Sequence, residues 1–475
     1  MIDQNKLQKL KTVLKNYGQS HILTFWDRLD PARQDRFFAQ INQLDFAQLD
    51  RWREEFVLNA SPFKLPDKLV PAPFYAQQPG DAGQRGKYDQ ARQLGDKLIS
   101  QGKVAAFVVA GGQGTRLGFD GPKGNFPISP VKNKTLFQIF AEGISAACKK
   151  YHTSCPWYIM TSPLNYQQTL DIFSANNYYG LNKNDIFIFQ QGTLPNFSLD
   201  GRILLSDIDT IATSPDGHGG SLRALYNSSA LADMQKRGVE FVSYWQVDNS
   251  LINIFDPLFI GLHALDGAEM SSKALSKTEP FEKLGNFCLA DGKVTVIEYS
   301  DLPDELAEKR NPDGSLAFEL GSIAIHIISV NFIERLNKHG FVLPLHRAAK
   351  KIPYVDEGGR RIEPKEPNGV KLESFVFDAL PLAGKSIILQ TVRSEEFAPT
   401  KNATGVDSVQ TARQMMIDRA AAWLESAGVK VPRKTDGLHD CVIEISPGFA
   451  LTREDVAKKR DKIPTIKPGD KIYLG

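Results

Sequence analysis

A continuous apolar run, Ala105 to Ala110, breaks directly into a glycine-rich stretch that extends to Gly124. The run lacks alternation, as in a parallel strand covered on both faces. The stretch after it holds Gly111, Gly112, Gly114 and Gly118, with Arg116 and Lys123 among them. Glycines let backbone N–H groups close around an anion, and two cations add the charge that phosphate oxygens need. A loop of this kind at the carboxyl end of a strand points to a phosphate-bearing ligand, foremost a nucleotide.

Two familiar glycine motifs do not fit. The phosphate loop of ATPases and GTPases needs Gly-x-x-x-x-Gly-Lys followed by Ser or Thr, and the chain has no such run here. The dinucleotide fingerprint needs Gly-x-Gly-x-x-Gly. Gly112-Gln-Gly114-Thr-Arg-Leu-Gly118 is one residue too long and carries a bulky cation where that turn would approach a pyrophosphate.

A chain of 475 residues exceeds the size at which one core stops growing, so several domains are expected. Residues 1–85 read as a helical region, Leu7, Leu10 and Leu14 through Trp52 and Phe56, ending in a proline-rich belt with Pro62, Pro66, Pro71, Pro73 and Pro79. Residues 86–385 alternate helix and strand, with strands at Trp157–Thr161, Ile186–Gln190 and Phe241–Val247. That alternation predicts an α/β fold: a mainly parallel nucleotide-binding sheet flanked by helices. Ligands of such sheets bind outside the strands' carboxyl ends, where the loops starting at 111, 191 and 248 emerge. Residues 386–475, broken by Pro432, Gly437, Pro447, Pro464 and Gly469, read as a small β-rich C-terminal domain.

A formal net charge of +2 with mixed signs gives no reason to invoke nucleic acid or an anionic membrane. Cys148, Cys155, Cys288 and Cys441 have no Cys-x-x-Cys spacing, and the reading is scattered reduced thiols. No apolar run approaches bilayer length, and the first residues lack the apolar core of a secretory signal, so a cytoplasmic protein is expected.

Ala110-Gly-Gly-Gln-Gly-Thr-Arg-Leu-Gly118 with Pro122-Lys-Gly124 resembles the nucleotide loop of the UDP-sugar pyrophosphorylases, nucleotidyltransferases of the UDP-glucose pyrophosphorylase type with a glycosyltransferase-A-like sheet. The UDP-N-acetylhexosamine pyrophosphorylase branch is the nearest. Thr135-Leu-Phe-Gln-Ile139, Phe189-Gln-Gln-Gly192, Pro215-Asp-Gly217, Val247-Asp-Asn249, Glu298-Tyr-Ser300, Phe375-Val-Phe-Asp378 and Lys401-Asn-Ala403 continue the match collinearly from about residue 100 to about residue 420. The resemblance implies a uridylyltransferase. The phosphate of a sugar 1-phosphate attacks the α-phosphorus of UTP in line, forming UDP-sugar and releasing pyrophosphate. Such chemistry needs aligned reactants and neutralised charge more than covalent help.

The resemblance also implies roles. Arg116, Lys123 and Lys401 serve as the catalytic cations, Lys401 bridging the α-phosphate and the sugar phosphate. Gly111, Gly112, Gln191, Gly217 and Lys371 join Lys123, Lys401 and Asp248 as nucleotide contacts. Gln191 reads uracil with a donor and an acceptor side by side. Asp248 holds Mg²⁺, for which a single acid suffices beside phosphate oxygens and water. Glu298 accepts from sugar hydroxyls. Two positions depart from the acetamido-sugar branch: His218 and Ser322 stand where that branch usually has asparagines. His218 is either a sugar contact or a hydrogen-bonded structural residue. N-acetylglucosamine 1-phosphate is the first expectation for the sugar, with a UDP-glucose or broad-specificity enzyme as the alternative. A glycosyltransferase would carry Asp-x-Asp, which Asp248-Asn249-Ser250 is not. A non-catalytic UTP- or UDP-sugar-binding regulator would not need Arg116, Lys123, Asp248 and Lys401 together.

Overall fold

The computed structural model describes residues 2–60, 64–341 and 343–475. The chain divides into two compact units. One comprises Met1–Lys64, Gly192–Gly220 and Leu343–Val376; the other comprises Leu65–Gln191, Ser221–Val342 and Phe377–Gly475. These units run across the sequence boundaries at 85/86 and 385/386.

In the first unit, helices Gln4–Asn16, Pro31–Asn42 and Phe46–Trp52 start where Asp3, Asp30 and Asp45 accept hydrogen bonds from first-turn N–H groups. Their apolar stripes do not form a core alone. Leu14, Ile22, Phe37 and Ile41 pack with Phe197, Ile203, Ile211, Val370 and Leu372, all nearly solvent-free. Gln19 stitches this interior together: Nε2 donates to the Gly201 carbonyl at 3.0 Å, and Oε1 accepts from the Ile203 N–H at 2.9 Å. The strands His346–Lys350, Gly369–Glu373 and Phe197–Ser198 form an antiparallel sheet in this unit.

The second unit is built on a sheet of ten strands among the described residues. Phe241–Gln246, Val104–Val109, Trp157–Thr161 and Ile186–Gln190 lie side by side and parallel, as the alternation predicts. Beyond them the sheet turns mixed: Leu320–Ser329 runs antiparallel to both Phe241–Gln246 and Met270–Ser276, and Ser386–Thr391 runs parallel to the latter. The four parallel strands end in one row, since Gln246, Val109, Met160 and Phe189 are successive register partners. The chain therefore leaves the sheet at Gly111, Gln191 and Asp248 along a common carboxyl edge.

Helices cover this sheet closely. Ala82–Ser100 meets Pro257–Leu265 backbone to backbone, because Gly95 faces the Pro257 peptide and Gly261 faces that of Ala91. A Cβ at either glycine would overlap main-chain atoms.

Two expectations change in detail. The proline-rich stretch is more than a linker: Leu69–Pro71 pairs with Asn286–Ala290 as an edge strand, where a proline's missing donor does no harm. Pro62 lies outside the described residues. The C-terminal segment holds the helices Val409–Ser426 and Arg453–Lys458 and a parallel pair of strands, Val442–Ile445 and Lys471–Leu474, around Leu424, Ile443 and Val456. Its Glu444 carboxylate accepts the N–H groups of Val131 and Lys132, each at 2.8 Å.

Candidate active site

The glycine loop is shaped by bonds that the sequence does not advertise. Lys123 N–H donates to the Gly112 carbonyl at 3.0 Å, and Gly114 N–H donates to Gly121 at 2.9 Å, closing Gly112–Lys123 into a compact loop. Gly118 takes a left-handed conformation, φ 69°, that ends the short turn carrying Arg116. Gly124 lies against the Phe137 ring, where any side chain would collide. Arg116 is exposed and Lys123 half-buried, and neither forms an ion pair among the described residues.

Asn165 holds the loop from outside it. Its fully buried carboxamide donates to the carbonyls of Ala110 and Gly112 at 3.1 and 3.2 Å and accepts from Ser162 N–H at 2.8 Å. Occupying these carbonyls turns one polar face of the loop toward protein. The N–H groups of Gly111 and Gly112 donate no hydrogen bond among the described residues. Asn165 precedes the helix Tyr166–Ala175 and has the look of a cap, yet makes no capping bond. Sequence reasoning missed it.

Gln191 lies beside this loop. Its N–H donates to the Thr161 carbonyl at 2.8 Å, and its Oε1 rests against Gly111, leaving no room for a Cβ there. Gln191 is 8% exposed, whereas Gln190 points outward, as strand alternation requires.

Asp248 and Lys401 come together through the backbone, since Thr400 N–H donates to the Asp248 carbonyl at 3.0 Å. The Asp248 side chain is 8% exposed, and its carboxylate has no hydrogen bond or ion pair among the described residues. A nearly buried carboxylate without a counter-ion is costly unless a ligand supplies positive charge. The Lys401 ammonium is 3.4 Å from Asp407 and stands 6.0 Å from the Phe397 ring. Among the described residues no cluster of three or more potential metal-ligating side chains exists, so a cation here would draw most ligands from phosphate and water.

Glu298 and Ser322 converge on Gly285. Ser322 N–H donates to the Gly285 carbonyl at 2.7 Å, and the Glu298 Oε1 lies over the Gly285 α-carbon. Below them Asn286, 1% exposed, accepts from the Lys277 ammonium at 2.6 Å. Burial lowers the Lys277 pKa from its ordinary value.

Gly217, His218 and Lys371 belong to the first unit. Gly217 has φ 84° and packs on the Ser374 carbonyl, so only glycine fits. His218 Nδ1 accepts from the Val376 N–H at 3.1 Å, and its ring stacks on Phe375, which stacks in turn on His346. Burial, with a smaller contribution from His346, lowers the His218 pKa to about 4, so the ring is neutral at pH 7. This gives His218 a structural role in fixing the Gly217 turn. Lys371 is ion-paired with Glu373 on the same strand.

The fold is that of an α/β nucleotidyltransferase, with Gly111, Gln191 and Asp248 gathered along the carboxyl edge of a parallel sheet. The family model described as UTP–glucose-1-phosphate uridylyltransferase matches residues 81–474, and the chain belongs to that family. A UDP-N-acetylhexosamine pyrophosphorylase-like protein 1 of Xenopus tropicalis is 38% identical over 427 residues, covering 86% of this chain and 83% of its own. The UDP-N-acetylglucosamine pyrophosphorylase of Saccharomyces cerevisiae is 35% identical over 466 residues, covering 94% and 96%. Among solved structures, the UDP-N-acetylglucosamine pyrophosphorylase of Trypanosoma brucei, in complex with an inhibitor, aligns with a TM-score of 0.82 at 26% identity, covering 100% of this chain and 99% of its own. No helix among the described residues is long and apolar enough to cross a membrane.

Proposed function

We propose that this protein transfers a uridylyl group from UTP to a sugar 1-phosphate, N-acetylglucosamine 1-phosphate first, giving the UDP-sugar and pyrophosphate. One observation carries the reading. Among the described residues, the carboxyl edge of the parallel sheet presents an unbonded pair of glycine amides beside Gln191 and, one strand away, an uncompensated Asp248 next to Lys401. The amides of Gly111 and Gly112, with Lys123 and Arg116, hold the phosphates. Gln191 reads the uracil edge. Lys401 stabilises the charge that builds between the α-phosphorus and the incoming sugar phosphate. Asp248 would hold a divalent cation, and Mg²⁺ there would supply charge neutralisation. Glu298 and Ser322 face the sugar. The reading places the protein in the cytoplasm, with no nucleic-acid or membrane partner, in keeping with its net charge of +2.

A second reading keeps the reaction and changes the sugar. Ser322 has a shorter reach than the asparagine of the acetamido-sugar branch and spans the same gap only through water. Glucose 1-phosphate is therefore the competitor to test. Pyrophosphate release is measured with UTP, Mg²⁺ and a panel of sugar 1-phosphates. Release with N-acetylglucosamine 1-phosphate above all others supports the first reading, and preference for glucose 1-phosphate supports the second. Silence across the panel, with UTP still bound, makes the protein a regulator.

A further inference from the structure

The turn that carries Asp248 and the segment that ends in Lys401 are joined by side chains to which none of the proposed roles has yet been given. Asn249 is 3% exposed. Its Nδ2 donates to the Glu396 carbonyl at 2.7 Å, and its Oδ1 accepts from Ala398 N–H at 3.0 Å and Leu251 N–H at 3.3 Å. The carboxamide thus stands in for a peptide group between two stretches of chain that do not belong to one strand pair. Around it, Asn249 and Pro399 form an isolated antiparallel bridge, and Thr400 N–H reaches the Asp248 carbonyl. Arg419 adds a second tie, one nitrogen donating to the carbonyls of Leu251 at 2.9 Å and Glu395 at 3.0 Å.

The far end is held as firmly. Glu396, 6% exposed, receives the Lys273 ammonium on both carboxylate oxygens, at 2.5 and 2.6 Å, and the Thr391 hydroxyl at 2.6 Å. The same ammonium meets Asp256 at 2.6 Å. Lys273 sits where the register of Met270–Ser276 against Leu320–Ser329 shifts, and such a bulge re-aims a side chain. A lysine that is 2% exposed between two carboxylates is not needed for solubility, and breaking such a group strands a buried charge.

We infer that Asn249 is a positioning residue: its buried carboxamide splints the Asp248 turn to the 396–401 segment, and the Lys273–Glu396 pair anchors that splint in the core. The inference rests on the uridylyl-transfer reading for its catalytic consequence, though not for the splint itself. Asp248 and Lys401 lie far apart in sequence, and both must face one triphosphate. A misplacement of about 1 Å in such a pair costs on the order of 10²-fold in rate.

Asn249→Asp tests this in the full-length protein. The acid keeps the acceptor toward Ala398 and Leu251 and removes the donor to Glu396. Backbone hydrogen exchange across residues 396–401 should speed by about tenfold or more. Turnover should fall by about tenfold or more while KM for the sugar 1-phosphate stays within about threefold, the signature of a misplaced charge rather than a lost contact. Binding of Mn²⁺ to the enzyme–UTP complex, followed by electron paramagnetic resonance, should weaken in step. Lys273→Met should reproduce the exchange change and Lys273→Arg should restore it in part. Exchange and turnover both at wild-type values in Asn249→Asp overturn the inference. Should that variant fail to fold, Asn249→Ser, which shortens the reach without adding charge, carries the same readouts. Wild-type protein that releases no pyrophosphate with any sugar overturns the uridylyl-transfer reading instead, and the exchange measurement still decides the splint.

Discussion

The Oε1 of Gln191 rests against the α-carbon of Gly111, so that the residue proposed to read the base and the residue proposed to approach the phosphates occupy one another's van der Waals surface. A side chain added at position 111 would displace the carboxamide. Gly111→Ala should therefore push the Gln191 carboxamide out of place and raise KM for UTP by roughly 10–100-fold, the cost of one buried hydrogen-bonding group left unpaired. Initial rates at varied UTP check this. An unchanged KM would remove Gln191 from uracil recognition.

Lys123→Ala and Lys401→Ala are each expected to lower turnover by roughly 10²–10³-fold, as for the loss of one preorganised electrostatic contact. Stability should change little, because neither ammonium is buried in an ion pair. Thermal melting beside steady-state rates separates the two effects.

Asp248→Asn keeps the shape of the side chain and removes its charge. Turnover should fall by about 10²-fold, and Mn²⁺ binding to the enzyme–UTP complex should weaken, if this carboxylate shares a cation with the triphosphate. Equal metal affinity in the variant would leave Asp248 as a strand-end turn residue.

Paired changes His218→Asn and Ser322→Asn bring both departures back to the residues usual in the acetamido-sugar branch. The kcat/KM ratio of N-acetylglucosamine 1-phosphate to glucose 1-phosphate should rise by about tenfold, equivalent to about 1.4 kcal/mol. Competition between the two sugars in one tube measures that ratio directly. His218→Asn alone keeps an acceptor for the Val376 N–H and removes the ring stacked on Phe375, so the Gly217 turn should loosen modestly.

His263 sets a pH dependence of stability. Its ring is fully buried between the hydroxyls of Ser271 and Ser329, at 2.7 and 3.0 Å, and burial lowers its pKa to about 3. The folded state therefore resists protonation, while the unfolded chain takes up a proton below about pH 6.5. Stability from this group is full above that pH and declines as pH falls toward 3, by about 2 kcal/mol between pH 6.5 and 5. Urea titrations at those two pH values check it, with His263→Gln expected to reduce the difference by that amount and His218 to keep its own share.

Much of the second unit is readable from local pattern. The strands Trp157–Thr161 and Ile186–Gln190 begin and end where apolar composition and flanking turns place them, and Phe241–Gln246 differs from expectation by one residue. Thr135 and Asp30 cap the helices Leu136–Tyr151 and Pro31–Asn42. The antiparallel half of the sheet was not legible, because residues 270–330 alternate too weakly to show which strand pairs with which. Asn165 and Asn249 escaped for a related reason: each looks like an ordinary turn or cap residue until the loop it holds is brought beside it.

The amino-acid order alone determined the alternating helices and strands, the glycine-rich break after the first parallel strand, and the family the chain belongs to. These depend on neighbours a few residues apart, where backbone preference and apolar spacing act directly. Only the tertiary structure decided that residues 1–64 share a core with 192–220 and 343–376, that Gln191 lies on Gly111, and that Asn249 ties Asp248 to the chain leading to Lys401. Each is a contact between segments from tens to hundreds of residues apart. Their energy comes from burial and from hydrogen bonds completed on burial, and no local preference records either.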